Sequence, residues 1–177
     1  MDSSNAPDAN PTPNDVAPYT AQFRAMRPAA GSWLVTHRPI WGLVTKKTAT
    51  ADGRALFIRN QTLQKALAFN NGQPPAGISM ILSGHIHLWE ALSFSDRRAP
   101  QFVLGSGGTL LAHDVKKKLR DGISIGGATV TSDVEQAWGF TVFERGDNAS
   151  PWQATLRDAA GKKIVTCPIG QGKVKCE

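Results

Sequence analysis

The sequence has few of the residues that define disulfide scaffolds and membrane proteins. Among its 177 residues there are two cysteines, one tyrosine and four histidines. Two cysteines exclude a disulfide-dense scaffold, and no apolar run reaches the roughly 20 residues that a membrane helix needs. Apolar residues still make up 41% of the chain. A chain of this length and composition predicts one globular domain with its own core and no membrane span.

Both cysteines, Cys167 and Cys176, lie close to the C-terminus. The segment between them, "PIGQGKVK", contains one proline and two glycines, which favours a turn. A disulfide across this hairpin would stabilise the fold by about 2–3 kcal/mol, and two free thiols are the alternative. The N-terminal "MDSSNAPDANPTPNDVAP" has no signal-peptide pattern. The sequence therefore does not indicate a cellular compartment, although a disulfide would indicate an exported full-length protein.

The chain has a net charge of +6 and a pI of about 9.6. Its positive charge is concentrated in a few segments. "KKKLR" at residues 116–120 and the lysines near the C-terminus carry much of the positive charge. No basic stripe is interleaved with aromatic residues, as a nucleic-acid surface would require. A solvated basic face is the simpler interpretation, so we expect no nucleic-acid partner.

Hydrophobic periodicity divides the chain into a mixed first half and a strand-rich second half. We expect residues 1–17 to be a flexible lead-in, followed by a helix that carries Tyr19 and Phe23 on one face. Residues 42–59 form a polar loop by composition, and a second helix follows with Asn60 as its N-cap. The expected strands are "SWLVT", "GISMILS", "EALSFS", "QFVLG", "ATVTS", "GFTVFE", "WQATLRD" and "KKIVTC". This order predicts an α/β or α+β fold with a β-rich C-terminal half.

Three histidines follow predicted strands. His37 comes directly after "SWLVT", and His85 and His87 come after "GISMILS". Alternate residues of an extended segment point to the same side, so His85 and His87 could bind one metal or two neighbouring metals. A structural role is the alternative for each, and the fourth histidine, His113, has the pattern of a surface residue. Arg38 follows His37 and is a candidate phosphate contact, or simply the start of a loop.

Two further patterns bear on chemistry. "GSGGT" follows the strand "QFVL" and is either a phosphate-binding nest or a tight turn, of which the turn is favoured. No G-x-S-x-G motif is present, and the cysteines are far from any histidine in sequence. Hydrolysis that depends on a metal-activated hydroxide is the chemistry that the histidines support best.

Two motifs, "WLVTHRPIWG" and "ILSGHIHLWE", with the later "QFVLGSGGTLL", resemble the last conserved segments of the calcineurin-like metallophosphoesterases. The resemblance covers about residues 1–145. It implies a partial β-sandwich flanked by helices, a phosphate-ester substrate and two transition-metal ions, which would be iron, manganese or zinc. Carried over, His37 and His85 would bind one metal and His87 the other, and Arg38 would contact phosphate.

The same family has three earlier motifs, D-x-H, G-D-x-x-D and G-N-H-[DE], and none is present here. By resemblance, residues 18–145 are the C-terminal part of a phosphoesterase domain, and residues 146–177 add strands and the cysteine hairpin. We therefore expect a truncated metal-dependent phosphoesterase that binds metal weakly, hydrolyses little and associates through uncovered sheet edges. The alternative is a non-catalytic half-domain, or a module that completes its site with a partner chain carrying the missing half.

Overall fold

A computed structural model describes residues 1–47, 54–58, 60–108, 110–112 and 122–177. Within these ranges the chain forms helices α1 (Pro13–Ala25) and α2 (Gln61–Ala66), a short 3₁₀ helix (Ala68–Asn70), and twelve strands. The strands are β1 (Ser32–Thr36), β2 (Leu43–Lys47), β3 (Arg54–Ile58), β4 (Ile78–Ser83), β5 (Trp89–Phe94), β6 (Gln101–Leu104), β7 (Ile123–Ile125), β8 (Ala128–Glu135), β9 (Phe140–Glu144), β10 (Trp152–Arg157), β11 (Lys163–Gly170) and β12 (Lys173–Val174). None of the described helices is long and apolar enough to cross a membrane.

The strands form two large sheets and a separate hairpin. The larger sheet has the order β1-β4-β6-β5-β8-β7, and the smaller one the order β12-β11-β10-β9. In the larger sheet β1, β4 and β6 run parallel, whereas β5, β7 and β8 pair antiparallel with their neighbours. The carboxyl ends of the three parallel strands therefore meet at one edge, which is where an open α/β sheet places its ligands.

Each face of the six-stranded sheet is covered by a different layer. On one face Phe23 of α1 and Leu63 of α2 belong to the same buried cluster as Leu34 and Ile81 of the sheet. On the other face the four-stranded sheet provides the cover, and its buried residues form a second cluster with Met80, Trp89 and Phe102. The predicted mixed fold of helices and strands is confirmed at the level of fold class, with most of its regular structure in strands and little in helices.

Two sequence-based expectations differ from the structure. Residues 1–17 were expected as a flexible lead-in, but α1 begins at Pro13, with a capping box between Thr12 and Asp15, and Ser3 and Ala6 are fully buried. The small side chains and Asn10, in the left-handed conformation, let this segment pack. The stretch over residues 42–59, expected as a polar loop, contains the antiparallel hairpin β2–β3, in which Leu43 and Val44 are in register with Ile58 and Phe57; the apolar residues at one end of each segment are typical of strands. Residues 48–53 and 59 lie outside the described part.

Other predictions are confirmed. β1 spans "SWLVT", and β4 spans "GISMILS" without its glycine. The Asn60 side chain accepts a hydrogen bond from the Leu63 amide at 2.8 Å, as an N-cap should. Cys167 and Cys176 form a disulfide across the β11–β12 hairpin. A disulfide is consistent with an exported protein.

Candidate functional site

The parallel strands bring the three predicted histidines to one pocket. His37 follows β1, the segment that contains His85 and His87 follows β4, and the Gly84 amide donates to the His37 carbonyl at 3.0 Å. The pocket, of about 520 Å³ and open to solvent, is lined by His37, His85, His87, Leu104, Gly105, Gly107 and Gly108. The glycines come from the turn after β6, the third parallel strand. Their missing side chains leave room beside the imidazoles.

The two adjacent histidines reach this pocket through a turn rather than an extended strand, so the extended arrangement expected from the sequence is wrong. β4 ends at Ser83, and His85 has a φ of 66°. A left-handed conformation costs a non-glycine residue about 1–2 kcal/mol. Short backbone hydrogen bonds of 2.8 Å, from Ile86 to Gly84 and from Leu88 to Ile86, hold this conformation. Backbone strain of this kind is concentrated at functional sites.

Gly105 fixes the glycine turn against the histidine segment. Its amide donates to the Leu88 carbonyl at 3.1 Å. A Cβ at this position would lie 1.8 Å from the Ile86 carbonyl oxygen, which is far inside contact distance. The residue must therefore be glycine for the two segments to approach so closely. The chain bends at Gly107 and Gly108 of the "GSGGT" stretch, which lines the pocket, and Thr109 lies outside the described residues.

Hydrogen bonds define which ring nitrogen of two histidines carries the proton when the ring is neutral. Nη1 of Arg38 lies 3.0 Å from Nε2 of His85, and a guanidinium can only donate, so Nε2 accepts. Nδ1 of His87 lies 3.0 Å from the Leu110 carbonyl oxygen, which can only accept, so Nδ1 carries the proton. Nε2 is therefore the unprotonated nitrogen of both neutral rings, the form that a metal requires, and in His85 it is engaged by Arg38.

A charged pair stands beside His85. Arg38 forms an ion pair with Asp8 at 3.1 Å, and the second carboxylate oxygen of Asp8 lies 3.6 Å from Nε2 of His85. Burial lowers the pKa of His85 and the Arg38 charge lowers it further, whereas Asp8 opposes the shift. The neutral imidazole is therefore favoured. Sequence reasoning missed Asp8, because the proline-rich segment that carries it has no periodicity and its partners lie far along the chain.

The arrangement of the histidines meets part of what a transition-metal site requires. The ring centroids of His37 and His85 are 5.2 Å apart, and two imidazoles that bind one tetrahedral ion place their centroids about 5 Å apart. No three His, Cys, Asp or Glu side chains in the described part of the chain are gathered as a metal-binding group. The donor set therefore suits a metal that accepts nitrogen ligands, but it is incomplete without further ligands.

The remaining sequence features lie elsewhere. Trp41 and Trp89 are core residues, and Trp33 packs against Phe143 and Trp152. "GDNAS" is a turn in which the Asp147 carboxylate accepts from the Ser150 amide. His113 and the basic run at residues 116–120 lie outside the described residues.

Comparison with known proteins assigns neither a family nor a function to the chain. No protein-family model matches the chain, and no curated protein is significantly similar to it in sequence. The case for a function is therefore carried by the motifs and by the geometry of the histidine pocket.

Proposed function

We propose that the chain carries the histidine part of a metal-dependent phosphoesterase site, with His37, His85 and His87 as metal ligands. The observation that supports this proposal is the convergence of three imidazoles on one pocket at the carboxyl ends of parallel strands. The order of the motifs along the chain also supports the proposal, because it resembles the order in calcineurin-like phosphoesterases. The glycine turn, the third of these motifs, forms the third side of the pocket.

The chemistry of the pocket suits a phosphate ester. Neutral imidazoles favour iron, manganese or zinc, and such an ion supplies Lewis acidity toward a phosphoryl oxygen. Arg38 lies beside the same pocket, and its guanidinium has the geometry to hold two phosphate oxygens at once. The glycine turn leaves space for the phosphate itself.

The site needs ligands beyond the three histidines, because metal sites of this kind use four to six. We propose that a segment carrying carboxylate motifs, in a longer chain or in a partner chain, completes it. The second candidate is a non-catalytic half-domain. The lack of a preassembled three-ligand group among the described residues favours that alternative for the 177-residue chain alone.

The test combines metal content with turnover. Purified protein is incubated with Mn²⁺, Zn²⁺ or Fe²⁺, its bound metal is measured, and hydrolysis of p-nitrophenyl phosphate and bis(p-nitrophenyl) phosphate is followed. We expect weak, metal-dependent turnover that is lost in His37→Ala, His85→Ala and His87→Ala. The fourth histidine provides the control, since His113→Ala should retain it. Metal binding without turnover would support the half-domain, and turnover that persists in all three variants would refute the proposed site.

A further inference from the structure

Two segments beside the histidine pocket expose large apolar side chains. Leu110 is 84% exposed, Trp138 57% and Phe140 50%. Only two other large hydrophobic side chains, Val35 and Phe69, are exposed in the part of the chain that the structure describes. Single apolar residues on a surface need no explanation, but several that gather beside one pocket mark a candidate binding surface. We call Leu110, Trp138 and Phe140 the apolar rim.

Hydrogen bonds attach the first of these segments to His87. Nδ1 of His87 lies 3.0 Å from the Leu110 carbonyl oxygen, and the Ala112 amide donates to the His87 carbonyl at 2.6 Å. Residues 110–112 therefore contact both the side chain and the backbone of one histidine that lines the pocket. The apolar rim begins directly beside that histidine.

The second segment is attached to the glycine turn and to the first segment. The Gly139 amide donates to the carbonyl of Ser106, in the glycine turn that lines the pocket, at 3.2 Å. The Gln136 side chain donates to the Ala112 carbonyl at 3.2 Å. The two aromatic residues of the apolar rim are the chain neighbours of Gly139. The rim therefore borders the pocket on the side of the glycine turn and His87.

The backbone under the two aromatic residues is held by the rest of the fold. A Cβ at Gly139 would overlap the Arg157 carbonyl oxygen, so β10 packs directly against this glycine. One residue beyond Phe140, the Thr141 hydroxyl accepts from Nε1 of the buried Trp89 at 3.0 Å. The exposed rings thus stand on a fixed backbone. A ligand that stacks on such rings has little chain entropy to overcome.

The size of the pocket and the chemistry of the rim indicate what could bind there. The pocket has a volume of about 520 Å³, within the range of about 300–1,000 Å³ that holds a whole small molecule. Room therefore remains for more than a phosphate. The indole of Trp138 and the phenyl ring of Phe140 offer aromatic faces, which bind planar rings by stacking.

We propose that the apolar rim binds the alcohol part of the phosphate ester, and that this part carries a planar aromatic ring, as a nucleoside or an aryl alcohol does. Trp138 provides the stacking surface, and Phe140 and Leu110 extend it. This inference rests on the proposed function, which assigns the phosphate to the histidine pocket, and adds the substrate class.

Paired ligands separate the contribution of the ring from that of the phosphate. Isothermal titration calorimetry with Mn²⁺ present compares phenylphosphonate with methylphosphonate, and adenosine 5′-monophosphate with ribose 5-phosphate. In the wild type the aromatic member of at least one pair should bind about tenfold more tightly than its partner. Trp138→Ala should remove most of this ratio by weakening the aromatic member alone, whereas Trp138→Phe should retain most of it. The pair with the larger ratio shows whether the ring is a nucleobase or an aryl group.

The matched control is Phe69→Ala. Phe69 is an exposed aromatic residue of the 3₁₀ helix, with the Arg24 guanidinium over its ring, and its loss should leave both ratios unchanged. If Trp138→Ala does not fold, as judged by circular dichroism, the indole N–H signals of the wild type are followed by NMR during the same titrations, and Trp138→Phe assigns the signal of Trp138. A signal that shifts and saturates supports the proposal, and one that neither aromatic ligand moves refutes it.

Failure of this inference is distinguishable from failure of the phosphoesterase proposal. If His85→Ala weakens both members of a pair but Trp138→Ala leaves their ratio unchanged, the inference is wrong and the phosphate site stands. Aromatic members that bind no more tightly than their partners refute it in the same way. If adenosine without a phosphate shifts the Trp138 signal and no histidine variant changes the affinity of any ligand, the rim binds aromatic rings and the phosphoesterase proposal fails.

Discussion

Nη1 of Arg38 lies 3.0 Å from Nε2 of His85. An arginine keeps its charge at every physiological pH, so the contact favours the neutral imidazole. A protonated imidazole would place two positive groups in hydrogen-bond contact. The relationship thus couples the residue that we assign to phosphate with the residue that we assign to metal.

The first prediction concerns the protonation of His85 in the metal-free protein. Burial and, next to it, the Arg38 charge lower the pKa of this histidine below its usual value of 6.5. His85 should therefore be less than half protonated at pH 6.5, where an unperturbed histidine is half protonated. Arg38→Ala should raise the pKa, because it removes a positive neighbour and admits water. An NMR titration of the imidazole signals measures this, and a His85 pKa at or above 6.5 in the wild type would contradict it.

The site shows what sequence patterns can and cannot predict. The positions of His37, His85 and His87 at strand ends were readable, because short apolar runs predict strands and the motifs mark their ends. The left-handed conformation of His85 could not be predicted from the sequence, because it accompanies a backbone hydrogen bond from Ile86 to Gly84. A histidine in that conformation has no pattern of its own in the sequence.

The fold, like the site, has features that the sequence predicts and features that it does not. β1 and β4 were predicted from continuous apolar composition, which suits strands buried on both faces. The pairing order of the six-stranded sheet, and the ordered packing of Ser3 and Ala6, depend on contacts between distant segments. Local periodicity does not contain that information, so the segment before α1 was mistaken for a flexible lead-in.

The second prediction concerns the disulfide. Replacing both cysteines, as Cys167→Ala and Cys176→Ala together, should lower the free energy of unfolding by about 2–3 kcal/mol. Urea denaturation with and without a reducing agent measures the difference. The reducing agent should destabilise the wild type by a similar amount and leave the double variant unaffected. Two reactive thiols in the denatured, unreduced protein would show that the bond does not form.

The third prediction concerns a buried arginine in the loop between β5 and β6. Arg98 is 3% exposed, pairs with Asp96 at 2.7 Å, and lies over the rings of Trp41 and Phe94. Burial would raise the pKa of Asp96, but hydrogen bonds from Arg98 outweigh burial and lower it. Asp96→Asn should therefore cost about 2 kcal/mol near neutral pH, because it leaves the Arg98 charge without its counter-ion.

The pH dependence of this loss follows from the direction of the shift. A carboxylate with a lowered pKa stabilises the fold above its unfolded-state pKa of about 3.9, and this stabilisation is lost as the pH falls through the folded-state pKa. The difference between wild type and Asp96→Asn in urea unfolding should shrink below about pH 4. Glu144→Gln, an exposed carboxylate on β9, serves as the control and should show no comparable loss. A difference that stays constant down to the lowest pH would refute the role of the ion pair.

The last prediction concerns the contact between the glycine turn and the histidine segment. Gly105→Ala would place a methyl group 1.8 Å from the Ile86 carbonyl oxygen, so the two segments must separate at a cost of about 2–3 kcal/mol. Gly107 lines the same pocket, but a Cβ there meets nothing within 4 Å and its φ is not left-handed. Gly107→Ala should therefore unfold in urea like the wild type. Since Gly105 holds Leu88 and the histidines before it, Gly105→Ala should also weaken Co²⁺ binding, whereas Gly107→Ala should not. Equal effects of the two substitutions on stability and on metal binding would show that the close approach of Gly105 to Ile86 does not position the histidines.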